Sequence, residues 1–391
     1  MKRSHSILYL THDGLTDPLG QSQILPYLVG LSKSGFRITI ISFEKPYRFE
    51  SGEHIIRRIC DDAEISWVPL KYHRTPPVAA TLYDVLKLRR VASTLVRQQG
   101  FSIVHCRSYV TSLVGLHLKL RYGLRFIFDM RGFWADERVE GGLWNVRNPI
   151  FRRIYNYFKK RELEFIKNAD HTVVLTEAAR KFITESFKVS NVSVIPCCVD
   201  MDIFDRNRVD QSKSRMLRED LGIAADDHVL LYLGSLGTWY LTDEMFDYFR
   251  SLRKQNPSAR FLVLTPDSAL VPKEENIITR SVPRHEVPDY IALANASVCF
   301  VKPVFSKTGS SATKMAEVLA MGVPVLVNPG WGDVDHIKDE VPGITLVDPE
   351  SPNATFPPAF SGSGDRFREY FSLDSGVRRY AAIYEDLIQD L

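Results

Sequence analysis

Lys314 and Glu317 are the two side chains whose types and spacing most directly suggest chemistry. They lie in residues 310–328, SSATKMAEVLAMGVPVLVN. Three residues apart, they fall on nearly the same side of any helix formed there. Ser310, Ser311 and Thr313 are N-cap types, good helix formers follow, Gly322 is a stop, and the chain resumes at Pro324 as a strand. A helix N-terminus of this kind offers unpaired backbone N–H groups and about half a positive charge, which suits a phosphate. Together these groups can hold a nucleotide, with its diphosphate on the helix end and Lys314 and its ribose hydroxyls on Glu317. The competing reading is a surface helix whose Lys314 and Glu317 pair in solvent.

Other candidates follow strand-like runs. Gly234 and Ser235, in GSLGT, sit where small residues and backbone N–H groups can approach a phosphate or a sugar. Lys307 precedes the 310–328 stretch and adds cationic reach. Gly14 and Gly20 keep the loop THDGLTDPLGQ irregular, although their spacing is not that of the dinucleotide fingerprint. His105 and Arg107 end one run, and RGFWADER, beginning at Arg131, follows another that ends at Asp129. Arginines at strand ends can hold a diphosphate or an anionic acceptor, and Asp136 can take a proton from an acceptor hydroxyl. A structural ion-pair cluster is the alternative for this last group.

The elements that must position these residues alternate. Strands are predicted at 7–10, 37–42, 65–70, 103–106, 126–129, 173–175 and 192–195, with amphipathic segments such as 21–34 and 82–98 between them. A polar stretch at 205–227 reads as a linker. A second series then begins, with strands at 229–233, 261–264, 276–279, 298–301, 323–327 and 344–347, and a last amphipathic helix from 374. Such alternation predicts α/β architecture with parallel sheets and ligands beyond the carboxyl ends of the strands. The expected fold is two Rossmann-like βαβ domains facing across a cleft. The first spans 1–200 and the second 201–373.

At 391 residues, two domains are the natural expectation, and 45% hydrophobic with 25% charged residues excludes a disordered chain. The longest apolar runs fall short of a membrane span, and no signal-peptide core opens the chain, so a cytoplasmic protein is expected. Five cysteines without a C-x-x-C argue against a disulfide framework or a zinc site. Residues 1–200 hold 30 Lys+Arg against 19 Asp+Glu, net +11, and the remainder is net −8. A basic half can face a polyanion, an anionic acceptor or a membrane. Within it, 148–168 reads as a basic amphipathic helix suited to an anionic membrane surface, which would make the protein peripheral on the inner face. A core helix with a solvated basic face reads equally well. Nucleic-acid binding is not expected, because the basic residues form no recognised module. No G-x-S-x-G, H-E-x-x-H or P-loop occurs.

Several blocks carry a family resemblance: HDGLTDPLGQSQILPYL, VHCR, VVLTEAARKFI, VIPCCVDMDIF, YLGSLGTWY, EVPDYIALANASVCFVKP and ATKMAEVLAMGVPVLV. In this order they resemble a family 4 glycosyltransferase of the GT-B fold. The resemblance implies a nucleotide-diphosphate sugar held by the second domain, an acceptor held by the first, a C-terminal helix at 374–391 that crosses back to join the first domain, and transfer with retained anomeric configuration. Glu317 matches the second carboxylate of the family's E-x7-E motif, which holds the ribose. Ser310 to Thr313 would meet the diphosphate or the sugar, and Gly14 and Gly20 would belong to a loop over the donor. The chain departs from the pattern at Gly309, where the first carboxylate would fall. It also has Ser235, with no nearby Lys, where relatives often carry Arg and Lys, and Arg107 near the place of a catalytic-type His. Lys314, Lys307, Arg107 and Arg131 are then the candidates for compensating cations.

Helix N–H groups and a Lys or Arg can stabilise the charge that develops on a leaving diphosphate, so no cofactor and no metal is expected, and Asp200-x-Asp202 and Asp333-x-Asp335 read as chance matches to a D-x-D pattern. The expected activity extends a bacterial-type surface polysaccharide or lipid-linked glycan. The alternatives are a sugar-nucleotide epimerase of the same fold and a non-catalytic protein that binds nucleotide sugars or a partner.

Overall fold

The computed structural model describes residues 5–360 and 364–389. The chain divides into two compact units, one of Met1–Pro196 with Leu373–Leu391 and one of Cys197–Ser372. In the first unit the strands are β1 (Ser6–Leu10), β2 (Arg37–Glu44), β3 (Ser66–Lys71), β4 (Ile103–Arg107), β5 (Arg125–Asp129), β6 (His171–Val174) and β7 (Val192–Val194). They form one sheet in the order β3-β2-β1-β4-β5-β6-β7, with every pairing parallel. The second unit holds β8 (His228–Leu233), β9 (Ala259–Leu264), β10 (Ile277–Arg280), β11 (Ala296–Cys299), β12 (Val325–Val327) and β13 (Ile344–Leu346). Their order is β10-β9-β8-β11-β12-β13, again all parallel. All thirteen predicted strands are present, within two residues at each end.

Both sheets are covered on both faces, so central strands read as unbroken apolar runs rather than alternating ones. Leu8, Leu10, Val104, Phe126 and Phe128 are buried on one face of the first sheet with Phe165. In the second sheet Leu231, Leu262 and Val325 pack with Met315, Leu319 and Trp331. In each sheet the chain winds outward from a central strand and then crosses to its other side. The winding reverses between β1 and β4, and between β8 and β11. A crevice opens at the carboxyl end of strands at such a switch. The candidate residues after β1, β4, β8 and β11 therefore lie at the two switch points.

Two expectations are corrected. The stretch 205–227 is not a linker. Gln211–Asp220 is a helix whose N-cap Asp210 accepts from the N–H of Ser212 at 2.7 Å. Its polar face is solvated, while Leu217, Leu221 and Ile223 pack on the second core and Lys213 pairs with Asp289 at 2.6 Å. Crowded charges hid a short apolar stripe. The helix Thr313–Ala320 is capped by Ala312 rather than by a hydroxyl side chain. The Ser311 hydroxyl instead accepts from the Cys197 N–H at 3.1 Å.

The loop after β1 owes its glycines to close packing. A Cβ on Gly14 would lie 2.7 Å from a Glu44 carboxylate oxygen, and one on Gly20 only 2.0 Å from the Gly14 carbonyl oxygen. Glu44 is buried and accepts from the N–H groups of Leu15 and Thr16 at 2.8 and 3.1 Å and from the Thr16 hydroxyl at 2.6 Å. Overpacking at backbone has nowhere to relax, so Gly20→Ala should lose about 2–3 kcal/mol of unfolding free energy in urea titration. Gly52→Ala, in a helix where the new Cβ meets nothing nearer than 3.4 Å, should gain about 0.5–1 kcal/mol. Equal effects from the two would refute this account of the loop.

Candidate functional site

The second unit assembles the 310–328 residues with the loop after β8. Tyr232, near the end of β8, has its ring buried, so its hydroxyl must find partners. It donates to the Ser235 carbonyl and accepts from the Lys314 ammonium at 3.0 Å. Lys314 also stands over the rings of Tyr240 and Tyr232, at 3.5 and 4.3 Å from their centroids. Two aromatic faces and one hydroxyl thus hold a cation that has no full counter-charge in contact among the described residues. Burial pushes the Lys314 ammonium down to about 8, against weaker upward pulls from Cys299 and Glu317. Gly234 adopts φ +107°, and a Cβ there would come within 3.3 Å of the Lys314 Nζ. Glycine both permits this backbone and leaves that side of the ammonium open.

One turn further along the helix, Glu317 is 6% exposed and pairs with Arg284 at 2.7 Å. Burial raises its pKa, and Arg284 and Lys314 oppose the rise. The Arg284 guanidinium also stacks 5.2 Å from the Phe204 ring. Lys307 is buried with its ammonium 3.9 Å from the Trp239 ring centroid. Its carbonyl accepts from the N–H groups of Ser310 and Gly332, which shapes the approach to the helix. At the helix start, Met315 donates to the Ala312 carbonyl, leaving the first N–H groups, at Thr313 and Lys314, outside the helical ladder. Gly234, Ser235, Lys307, Ser310, Ser311, Thr313, Lys314 and Glu317 all belong to this one unit. What they can do together is receive an anion at a cation and a helix end, with a carboxylate 3 residues on for hydroxyl groups.

Arg284, Tyr232 and Tyr240 were not among the sequence candidates. Tyr232 left a trace, as the one residue with a polar tip in the run VLLYL. Arg284 left none, since nothing in VPRHE marks its pairing with Glu317.

In the first unit, Arg107, Arg131 and Asp129 meet at the ends of β4 and β5, where Arg107 stands opposite Asp129 in register. Arg131 lies 3.8 Å and Arg107 3.9 Å from the Asp129 carboxylate, and Arg107 also approaches Asp13 at 3.5 Å. Arg131 sits at φ +56°, an uncommon conformation for a side-chain-bearing residue, which turns the chain sharply after β5. The Leu373–Gln389 helix adds Tyr380, which donates to Asp129 at 3.2 Å, and Tyr384, 2.7 Å from the His105 Nδ1. Burial alone would raise the Asp129 carboxyl, but Arg131, His105 and Arg107 outweigh it and hold the group ionised. Burial lowers the His105 pKa despite Asp129.

Asp136 is not part of this cluster's contacts. It accepts from Tyr155 and Lys159, both at 2.8 Å, and Lys159 reaches Glu162 at 2.5 Å. That is the structural ion-pair reading of RGFWADER. It also corrects the basic face of 148–168. On the helix Pro149–Asn168, Lys159 turns inward and Arg161 pairs with Glu164, leaving Arg152, Arg153, Lys160 and Lys167 exposed. Gly14 and Gly20 belong to the first unit, and the Leu15 and Thr16 N–H groups between them are already taken by Glu44. Asp335 accepts from the Gly330 N–H and Asp202 pairs with Arg208, so neither D-x-D stretch gathers its carboxylates for a metal. Among the described residues no group of three or more His, Cys, Asp or Glu could hold a metal ion. None of the described helices is long and apolar enough to cross a membrane.

Residues 27–203 match the profile of Glycosyltransferase Family 4. Over 176 residues, 44% of this chain, the sequence is 28% identical to TuaC of Bacillus subtilis (strain 168), provisionally described as a teichuronic acid biosynthesis glycosyltransferase. The match spans 43% of that relative, less than half its length. A sucrose-phosphate synthase from Thermosynechococcus elongatus superposes with a TM-score of 0.70 at 14% identity, covering 99% of this chain and 100% of that one. Anabaena HepE, solved with UDP and glucose, superposes with a TM-score of 0.63 at 11% identity, covering 98% of this chain and 96% of that one. At these identities the superpositions establish the fold alone, the two-domain Rossmann-like GT-B fold.

Between pH 8 and 10.5 the unfolded chain keeps a proton on Lys314 that the folded chain has lost, so this residue makes stability rise with pH across that window. Relative to Lys314→Met, the native protein should gain on the order of 2–3 kcal/mol from pH 8 to 10.5 in paired urea titrations. A difference that stays constant with pH would show that the ammonium is not held as described.

Proposed function

We propose, from the match of residues 27–203 to the profile of Glycosyltransferase Family 4, that the chain moves a sugar from a nucleotide-diphosphate sugar to a glycan or lipid-linked glycan acceptor. The observation that carries the proposal is Lys314, held by Tyr232 and Tyr240 beside Gly234 and at the start of the Thr313–Ala320 helix. Breaking the sugar–diphosphate bond builds negative charge on the departing diphosphate. A preorganised ammonium and helix N–H groups stabilise that charge by a few kcal/mol per good donor. The reaction as proposed needs no resident cofactor or metal, and the anomeric configuration is retained.

In this reading Glu317, oriented by Arg284, accepts from the ribose hydroxyls. Gly234, Ser235, Ser310, Ser311 and Thr313 line the diphosphate and sugar, and Lys307 supplies a second cation. Arg107, Arg131 and Asp136 act on the acceptor side, the two arginines through Asp129. Asp136 would do so from its ion pair with Lys159. The likeness to TuaC supports an acceptor of the surface-polysaccharide type. A lipid-carried acceptor would bring the protein to the inner face of a membrane, where Arg152, Arg153 and Lys160 of the Pro149–Asn168 helix are available.

A thermal-shift panel of UDP, GDP, ADP and CMP tests the donor site. One diphosphate nucleotide at 100 times its dissociation constant should add about 2.7 kcal/mol of stability. Glu317→Ala should weaken that nucleotide roughly tenfold by calorimetry and leave the fold intact, because Arg284 is exposed enough to be rehydrated. Lys314→Ala should slow transfer more than it weakens binding. A panel without any shift, or Glu317→Ala with unchanged affinity, would sink the reading.

A further inference from the structure

The helix Pro77–Gln99 has two faces of different character. Its inner face is Ala80, Asp84, Leu88, Ala92 and Val96, all buried at a four-residue spacing. Asp84 is its one carboxylate, and it is held by His73 at 2.6 Å. The outer face begins with Val78, Leu82, Tyr83 and Leu86, which are 60, 59, 54 and 56% exposed. It continues along the same stripe as Arg89, Arg90 and Ser93. Four large apolar side chains in the first half of a helix and two arginines in the second make an amphipathic surface whose apolar part faces water.

The neighbouring helix Ser108–Tyr122 extends this surface. It contains no Asp or Glu. Its last turns bring His117, Arg121 and Tyr122 against Leu86, Arg89, Arg90 and Ser93 around a pocket of about 330 Å³. Three arginines and a histidine line the pocket without a carboxylate among its residues. Burial and the positive charges of Arg89 and Arg121 keep His117 below its usual pKa, a sign of uncompensated positive potential there. Leu120, 72% exposed, lies beside Arg121 on this helix.

We propose that this outer face docks on an anionic lipid bilayer. A headgroup phosphate sits among Arg89, Arg90, Arg121 and His117, and Leu82, Tyr83 and Leu86 enter the headgroup region. Charge complementarity selects this occupant. A second copy of the chain would set arginine against arginine, whereas an anionic bilayer offers phosphate to the pocket and an apolar layer to the stripe. Tyrosine beside leucines at such a boundary keeps its ring in the apolar layer and its hydroxyl in water. The proposal goes beyond the transferase reading and does not depend on it, since it is tested by binding alone.

The test is sedimentation of the full chain with vesicles of equal parts phosphatidylglycerol and phosphatidylcholine, with pure phosphatidylcholine as the neutral control. Each basic group near such a surface is worth roughly fivefold in binding. Arg89→Glu/Arg121→Glu should therefore lower the partition coefficient at least roughly twentyfold. Leu82→Ser/Leu86→Ser should lower what survives at high salt, and millimolar inorganic phosphate should displace little of the protein. Circular dichroism melting checks that the variants fold, and Arg90→Gln/Arg121→Gln serves if charge reversal prevents folding. Any of four results would overturn the proposal: unchanged binding by the arginine variants, equal binding to neutral vesicles, full displacement by inorganic phosphate, or loss only on reversing Arg152, Arg153 and Lys160. A dimer in analytical ultracentrifugation that Leu82→Ser/Leu86→Ser dissolves would assign the face to a second copy instead.

Discussion

The constraint on which everything else depends is that both sheets are parallel and buried on both faces. A strand in such a sheet has no solvent-facing side chains to offer, so polar chemistry is confined to the loop beyond its carboxyl end. The reversal of winding next to β1 and β8 then leaves a gap between diverging connections in each sheet. The loop after β1, Arg107 after β4, Gly234 after β8 and the approach to Thr313 after β11 are gathered at those gaps by topology. They lie far apart in sequence because each strand of a parallel sheet must be followed by a crossover.

Within that frame the two units treat their charges differently. The first neutralises those at the ends of β4 and β5 and after them. Arg107, Arg131, His105 and the Tyr380 hydroxyl close around Asp129, the Tyr384 hydroxyl backs His105, and Tyr155 and Lys159 close around Asp136. In the second unit one cation stands without a partner of full opposite charge in contact among the described residues. Lys314 is steadied by ring faces and a phenol rather than by a carboxylate. Burying an ammonium this way costs stability, and its lowered pKa expresses that cost. A group kept under such strain is the one an incoming anion would relieve, which sets Lys314 apart from the paired arginines of the first unit.

Glycine has separate meanings at the two loops. Gly14 and Gly20 are required because backbone and Glu44 crowd them, which rigidifies the loop after β1 and uses its N–H groups internally. At Gly234 the requirement is conformational, and the missing side chain also keeps the ammonium accessible. The same residue type in two βα loops therefore closes one and opens the other.

The amino-acid order by itself determined the fold. Runs of three to six residues between amphipathic segments locate the thirteen strands among the described residues, and Lys314 and Glu317 are legible as a pair because helical spacing is a local property. Local pattern also explains the two failures at element boundaries. The apolar residues in a charged stretch were too sparse to reveal the Gln211–Asp220 helix, and residue types alone suggested a hydroxyl cap where the backbone put Ala312. Only the tertiary structure decided which charges face which. Tyr232 is 82 residues from Lys314, Arg284 reaches Glu317 from outside the helix, and Lys159 turns to Asp136 rather than to solvent. Partnerships of that kind depend on where crossovers bring side chains in space. Coulombic and aromatic contacts act over a few ångströms, and no spacing along the chain encodes them.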